Sequence, residues 1–177
     1  SGHIAAVGYD MFLKPLDHAV KGMKGEHVTE PLEPEINASM SSGFPDDYIE
    51  SVEQRLTIYR RLSRLTRVSD ISDMKTELVD RYGKLPKSAE NMLLKIMLRI
   101  FAIKAGVKRL DITPDVLVLE FSPDHTSRSL TDIETVLTKK VDAKFVKKNS
   151  VRIQLGHKRS NISRALLETK QILSSIF

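Results

Sequence analysis

A helix that is apolar on nearly every side belongs in the middle of a fold, and residues 86–103 describe one. Pro86 is a residue favoured at helix starts, and Met92, Leu93, Leu94, Ile96, Met97, Leu98, Ile100, Phe101 and Ile103 follow it with no polar stripe wide enough to face water. Each large side chain removed from water contributes about 1.5–3 kcal/mol, so this segment carries much of the stability. A charge at Ile96 or Ile100 is expected to be severely disruptive, because a buried unpaired charge is costly.

The chain before it reads as helical. Residues 1–7 look like a loop or a tail, and the apolar spacing over 9–23 predicts a helix that Pro15 kinks or delays. Residues 26–44 are rich in Pro, Glu, Ser and Gly and form a connector, with one short extended piece at 35–38. Pro45, Asp46 and Asp47 supply a turn and the acidic residues that favour a helix N-terminus, which places the next start within 46–49. That helix carries Ile49, Val52, Leu56, Tyr59 and Leu62 on one stripe and Arg60, Arg64 and Arg67 on another. Ser69-Asp70-Ile71-Ser72 offers a new N-cap, with Ile71, Met74, Leu78 and Tyr82 as the inward row and Gly83 as a left-handed C-cap.

After Gly106 the period changes from 3.6 to 2. Residues 109–113 and 116–121 read as strands joined at Pro114-Asp115, residues 132–139 as a short helix, and 143–146 with 151–155 as a hairpin around Lys148-Asn149-Ser150. A helix over 161–176 closes the chain, with Ile162, Leu166, Leu173 and Ile176 inward. The predicted class is α+β: a helical N-terminal half with a central apolar helix, then a small antiparallel sheet and a C-terminal helix. At 177 residues one compact body is expected.

The chain has no cysteine, which excludes disulfides and thiolate metal sites. No apolar run approaches membrane-spanning length and no secretory signal is present, so the protein reads as soluble and cytoplasmic. Its net charge of +5 is unevenly placed. Residues 25–54 hold eight carboxylates and no Lys or Arg, whereas Lys139, Lys140, Lys144, Lys147, Lys148, Arg152, Lys158 and Arg159 crowd together later. The later cluster could attract phosphates, but an ordinary solvated face is the better reading.

Neither the P-loop nor the dinucleotide glycine pattern occurs, and the five histidines are scattered without metal-ligand spacing. No catalytic, cofactor-binding or metal-ligating residue is therefore assigned. Glu77 and Asp80 lie three apart, neighbours on one helix face, and are either a solvated face or half of a charge-complementary contact. The Arg60, Arg64 and Arg67 row has the same two readings, phosphate or carboxylate grip against simple solubility.

Four blocks in order, Gly2-His3-Ile4-Ala5-Ala6-Val7-Gly8-Tyr9-Asp10, Phe44-Pro45-Asp46-Asp47-Tyr48-Ile49, Arg55-Leu56-Thr57-Ile58-Tyr59-Arg60-Arg61 and Glu77-Leu78-Val79-Asp80-Arg81-Tyr82-Gly83-Lys84-Leu85-Pro86, resemble the C-terminal part of the bacterial transcription-repair coupling factors (Mfd). The resemblance implies a large translocase that uses ATP and magnesium to push stalled RNA polymerase along double-stranded DNA. It also implies recruitment of excision repair through a UvrB-like module that binds UvrA. Residues 1–30 would then be a linker and helix following the upstream motor lobe, and 31–177 a C-terminal regulatory domain without catalysis of its own.

In that family the terminal domain packs on the UvrB-like module and masks the UvrA-binding surface, with acidic residues of the Glu-Leu-Val-Asp-Arg-Tyr-Gly helix facing arginines. By resemblance, Glu77 and Asp80 are the positions that take this intramolecular interface role. Pro15 departs from the family pattern, where a helix former is usual. A nucleic-acid-binding module that uses the basic C-terminal half is the alternative.

Overall fold

The computed structural model describes residues 29–156 and 161–177. The helix expected over 9–23, with its Pro15, lies outside the described residues, as do Lys158 and Arg159. Strand β1 (Glu35–Ala38) comes first, followed by helices α1 (Val52–Ser63), α2 (Val68–Tyr82) and α3 (Lys87–Ala105). Strands β2 (Val107–Ile112) and β3 (Val116–Phe121), helix α4 (Leu130–Lys140), strands β4 (Asp142–Lys147) and β5 (Ser150–Gln154), and helix α5 (Ile162–Ser174) complete it. The class is α+β, as the change of period implies.

Where one compact body was expected, the chain divides into two compact units: one contains Ser41–Ile96, the other Leu32–Met40 with Met97–Phe177. In the first, α1 starts at Val52 and not within 46–49. Ser51 is its N-cap, its hydroxyl accepting from the Gln54 N–H at 3.3 Å. Asp46-Asp47-Tyr48 is a separate turn closed by the N–H groups of Tyr48 and Ile49 on the Pro45 carbonyl. Asp46 serves as an ion-pair partner 3.1 Å from Arg55, with no helix dipole to complement.

The buried stripe of α1 is also rotated from the expected one. Arg55, Ile58, Tyr59 and Leu62 are buried, whereas Val52 is 44% exposed. Arg55 tolerates burial because its Nη1 donates to the Ile49 carbonyl at 2.5 Å and pairs with Asp46, which satisfies the charge where it sits. Tyr59 accepts the Phe44 N–H at 2.9 Å, and the two rings meet at 5.3 Å, pinning the turn to the helix.

Helix α2 begins at Val68, ahead of the proposed Ser69–Ser72 cap, and Asp70 instead pairs with Arg67 at 2.9 Å. Ile71, Met74 and Leu78 form the inward row as read, while Tyr82 is half-buried with its hydroxyl donating to Gln54 at 3.0 Å. Gly83 ends the helix with φ +84°, but ψ is −164°, so it has the positive φ expected without the left-handed helical ψ. In α3, Met92, Leu93, Ile96, Leu98 and Ile100 are buried and Ile103 is 36% exposed. Among the described residues no helix is long and apolar enough to cross a membrane.

The second unit is built on a five-stranded sheet in the order β1-β2-β3-β5-β4. β1 pairs with β2 in parallel and every other neighbour is antiparallel, so the sheet is mixed. A parallel neighbour needs a long crossover, and the chain between β1 and β2 supplies one. β2 begins at Val107, two residues before the expected start, because a bulge between Val107 and Arg109 breaks the alternation and leaves both Lys108 and Arg109 outward. Leu110, Ile112, Leu117, Leu119, Phe121, Val151 and Ile153 are buried, with α5 packing across β2 and β3. Of the residues expected inward on the closing helix, Leu166, Leu173 and Ile176 are buried and Ile162 is half-buried.

A candidate charged interface on helices α1 and α2

Glu77 and Asp80 stand on α2 because the apolar row Ile71, Met74 and Leu78 turns the opposite side of the helix outward. Their surroundings differ. Glu77 lies beside α1, where Arg61 grips its carboxylate with two parallel bonds, Nη1 to Oε1 at 2.6 Å and Nη2 to Oε2 at 2.5 Å. Arg81, one turn along α2, adds Nη1 to Oε1 at 3.2 Å. The hydrogen bond from Arg61, aided by Arg81 and opposed by partial desolvation, pulls the Glu77 carboxyl down to about 2. The same bond raises the pKa of Arg61.

Asp80 is exposed and makes no ion pair among the described residues. Arg81 points to Glu77 and so does not neutralise its sequence neighbour. The face expected to present two equivalent carboxylates therefore presents Asp80, without an ion pair among the described residues, beside a three-membered network with one surplus positive charge. In the arginine row, Arg67 is committed to Asp70, while Arg60 and Arg64 are exposed and make no ion pair among the described residues.

Arg61 is the neighbour of Glu77 that sequence reasoning passed over. It sits outside the Arg60, Arg64, Arg67 spacing, and only the pairing of α1 with α2 brings it to Glu77. An open groove of about 370 Å³ runs beside this network, lined by Arg61, Arg64, Leu65, Asp70, Asp73, Met74 and Glu77. Its walls carry both signs of charge with two apolar side chains, which suits a complementary surface better than a small apolar ligand. Among the described residues no group of three or more His, Asp or Glu side chains is placed to hold a metal ion.

Fold and face together define a class: an α+β module in two units, whose concentrated surface chemistry is ion pairing on paired helices. The TRCF domain model matches residues 39–131, which include α1, α2 and α3. The transcription-repair-coupling factor of Myxococcus xanthus is 38% identical over 120 residues, covering 64% of this chain and 10% of that protein. That of Escherichia coli is 32% identical over 127 residues, covering 69% and 11%. The crystal structure of a C-terminal domain of transcription-repair coupling factor superposes with TM-score 0.66 at 17% identity, covering 81% of this chain and 93% of that one.

The chain belongs to the transcription-repair coupling factor family, as a TRCF domain. It spans about a tenth of the length of these two relatives.

Proposed function

We propose that this domain is a regulatory latch: it packs on the UvrB-like module of its own polypeptide and masks the surface that binds UvrA. Release follows when an ATP- and magnesium-dependent motor in the same protein engages stalled RNA polymerase on double-stranded DNA in the cytoplasm. The domain itself performs no catalysis in this reading. Membership of the family supports it, and the single observation that carries it is the charged face of α2, with Asp80 exposed and without an ion pair among the described residues, and Glu77 held in a fixed geometry by Arg61 and Arg81.

The energetics suit a latch. Exposed ion pairs contribute about 0.2–1 kcal/mol each, so a few close a clamp reversibly. Asp80 is the side chain available to a partner arginine without breaking an internal pair. Glu77 either stays with Arg61 and orients the face, or exchanges Arg61 for the partner, which would make the closed and open forms differ by one bidentate contact. A switch needs such a difference.

The test is UvrA affinity of a full-length coupling factor carrying this domain. Asp80→Arg, alone and with Glu77→Arg, is expected to raise UvrA affinity while the domain keeps its helical circular dichroism. Unchanged UvrA binding in the double variant overturns the latch.

A further inference from the structure

The structure concentrates positive charge at one edge of the second unit. Residues 139–154 hold Lys139, Lys140, Lys144, Lys147, Lys148 and Arg152 against the single carboxylate Asp142, so this segment carries an excess equal to the whole chain's +5. All six cations are exposed and make no ion pair among the described residues. Elsewhere on the same sheet cations are neutralised: Lys108 lies 2.9 Å from Glu120 and Arg109 lies 3.1 Å from Asp111.

Ordinary roles cover part of this cluster. Lys139 and Lys140 fall in the last turn of α4, where the helix dipole favours them, and lysines on the edge strand β4 discourage strand-to-strand aggregation. Neither role covers Arg152. It sits on β5, an interior strand between β3 and β4, and its register partner on β4 is Lys144, with Val118 on the other side. Like charges directly opposite one another destabilise a strand pair, and neither Lys144 nor Arg152 makes an ion pair among the described residues. An anion laid across Lys144 and Arg152 removes that repulsion.

We propose that the β4–β5 edge is a docking surface for the phosphate backbone of double-stranded DNA. Five of the six cations are lysines, which are point charges without the fork that reads discrete carboxylates, and protein interfaces are depleted in lysine. A regular polyanion suits them better. Single-strand binding relies on stacking aromatics, and the aromatic of this edge, Phe145, is half-buried, which leaves the duplex. Six strand residues extend about 20 Å, against one phosphate per about 3.4 Å on each strand of the duplex.

The probe is fluorescence anisotropy of the 177-residue chain with a labelled duplex of about 20 base pairs. Four engaged cations predict a log–log salt slope of about −3.6, hence about a 150-fold loss of affinity between about 50 and 200 mM salt. The double variant Lys144→Glu with Lys147→Glu is expected to lose at least about tenfold and to flatten the slope. Arg60→Glu with Arg64→Glu, an equal charge change on the first unit, is expected to stay within about twofold. Absence of duplex binding at the lowest salt, equal losses in the two double variants, a single strand bound as tightly as the duplex, or polyglutamate competing as well as DNA each overturns the proposal, the last in favour of an acidic protein.

Discussion

Replacing Glu77 with Gln removes the charge on which the Arg61–Glu77–Arg81 network depends, and its effect should follow pH in a defined direction. The folded-state pKa lies near 2 against an ordinary value of 4.5, and full conversion of that displacement gives about 3 kcal/mol. The side chains of Arg61, Arg81 and Glu77 are 45%, 47% and 34% exposed, so solvent screening reduces the usable figure to about 1 kcal/mol. A carboxylate with a depressed folded pKa stabilises fully above its unfolded pKa and loses that contribution as pH falls through 4.5 toward 2. The variant should therefore be less stable by about 1 kcal/mol at pH 7, a urea midpoint about 0.5 M lower, with the gap closing toward pH 2. Tyrosine fluorescence reads the relevant unit, since the chain has no tryptophan and Tyr48, Tyr59 and Tyr82 lie within Ser41–Ile96. Equal midpoints at pH 7, or a gap that persists undiminished to pH 2, would refute the reasoning.

Ile96 is fully buried, so Ile96→Asp should cost more than about 4 kcal/mol and leave the chain without a cooperative melting transition; an unchanged melt would count against the placement of α3. Gly106 has φ +71°, and a Cβ there would stand 2.7 Å from the Thr126 backbone. Gly106→Ala should thus destabilise by about 1–3 kcal/mol in urea titration, with amide exchange accelerating around Thr126. Tyr59→Phe leaves the buried Phe44 N–H without its acceptor and should cost about 1–3 kcal/mol, visible as faster exchange at the Phe44 amide.

What could be read from the chain follows where side-chain pattern and backbone agree. The apolar run of α3, the short extended piece of β1 and the alternation of β3 are local patterns, and each element appears where its pattern puts it. The failures have local physical causes. Asp46 and Asp47 imitate a helix start, but one of them is claimed by a buried arginine, and Arg55 rotates the inward stripe because a periodicity argument assigns arginine to solvent. The bulge at Val107/Arg109 hid the beginning of β2 for the same reason.

The candidate interface shows the sharper limit. Spacing alone places Glu77 and Asp80 on one face, yet it treats them as equals. The difference between them comes from Arg61 on another helix, a contact 16 positions away in the chain that no local pattern encodes. The like-charged pair Lys144 and Arg152 was equally invisible, since it depends on the register of β4 against β5.

The most direct test of the latch is a binding titration between this chain and the UvrB-like module of its coupling factor across a range of salt concentrations. The account predicts an association at low salt that weakens steadily as salt rises and is weakened by about fivefold or more in Asp80→Arg. An association indifferent to both salt and Asp80→Arg, or none at low salt, would contradict it.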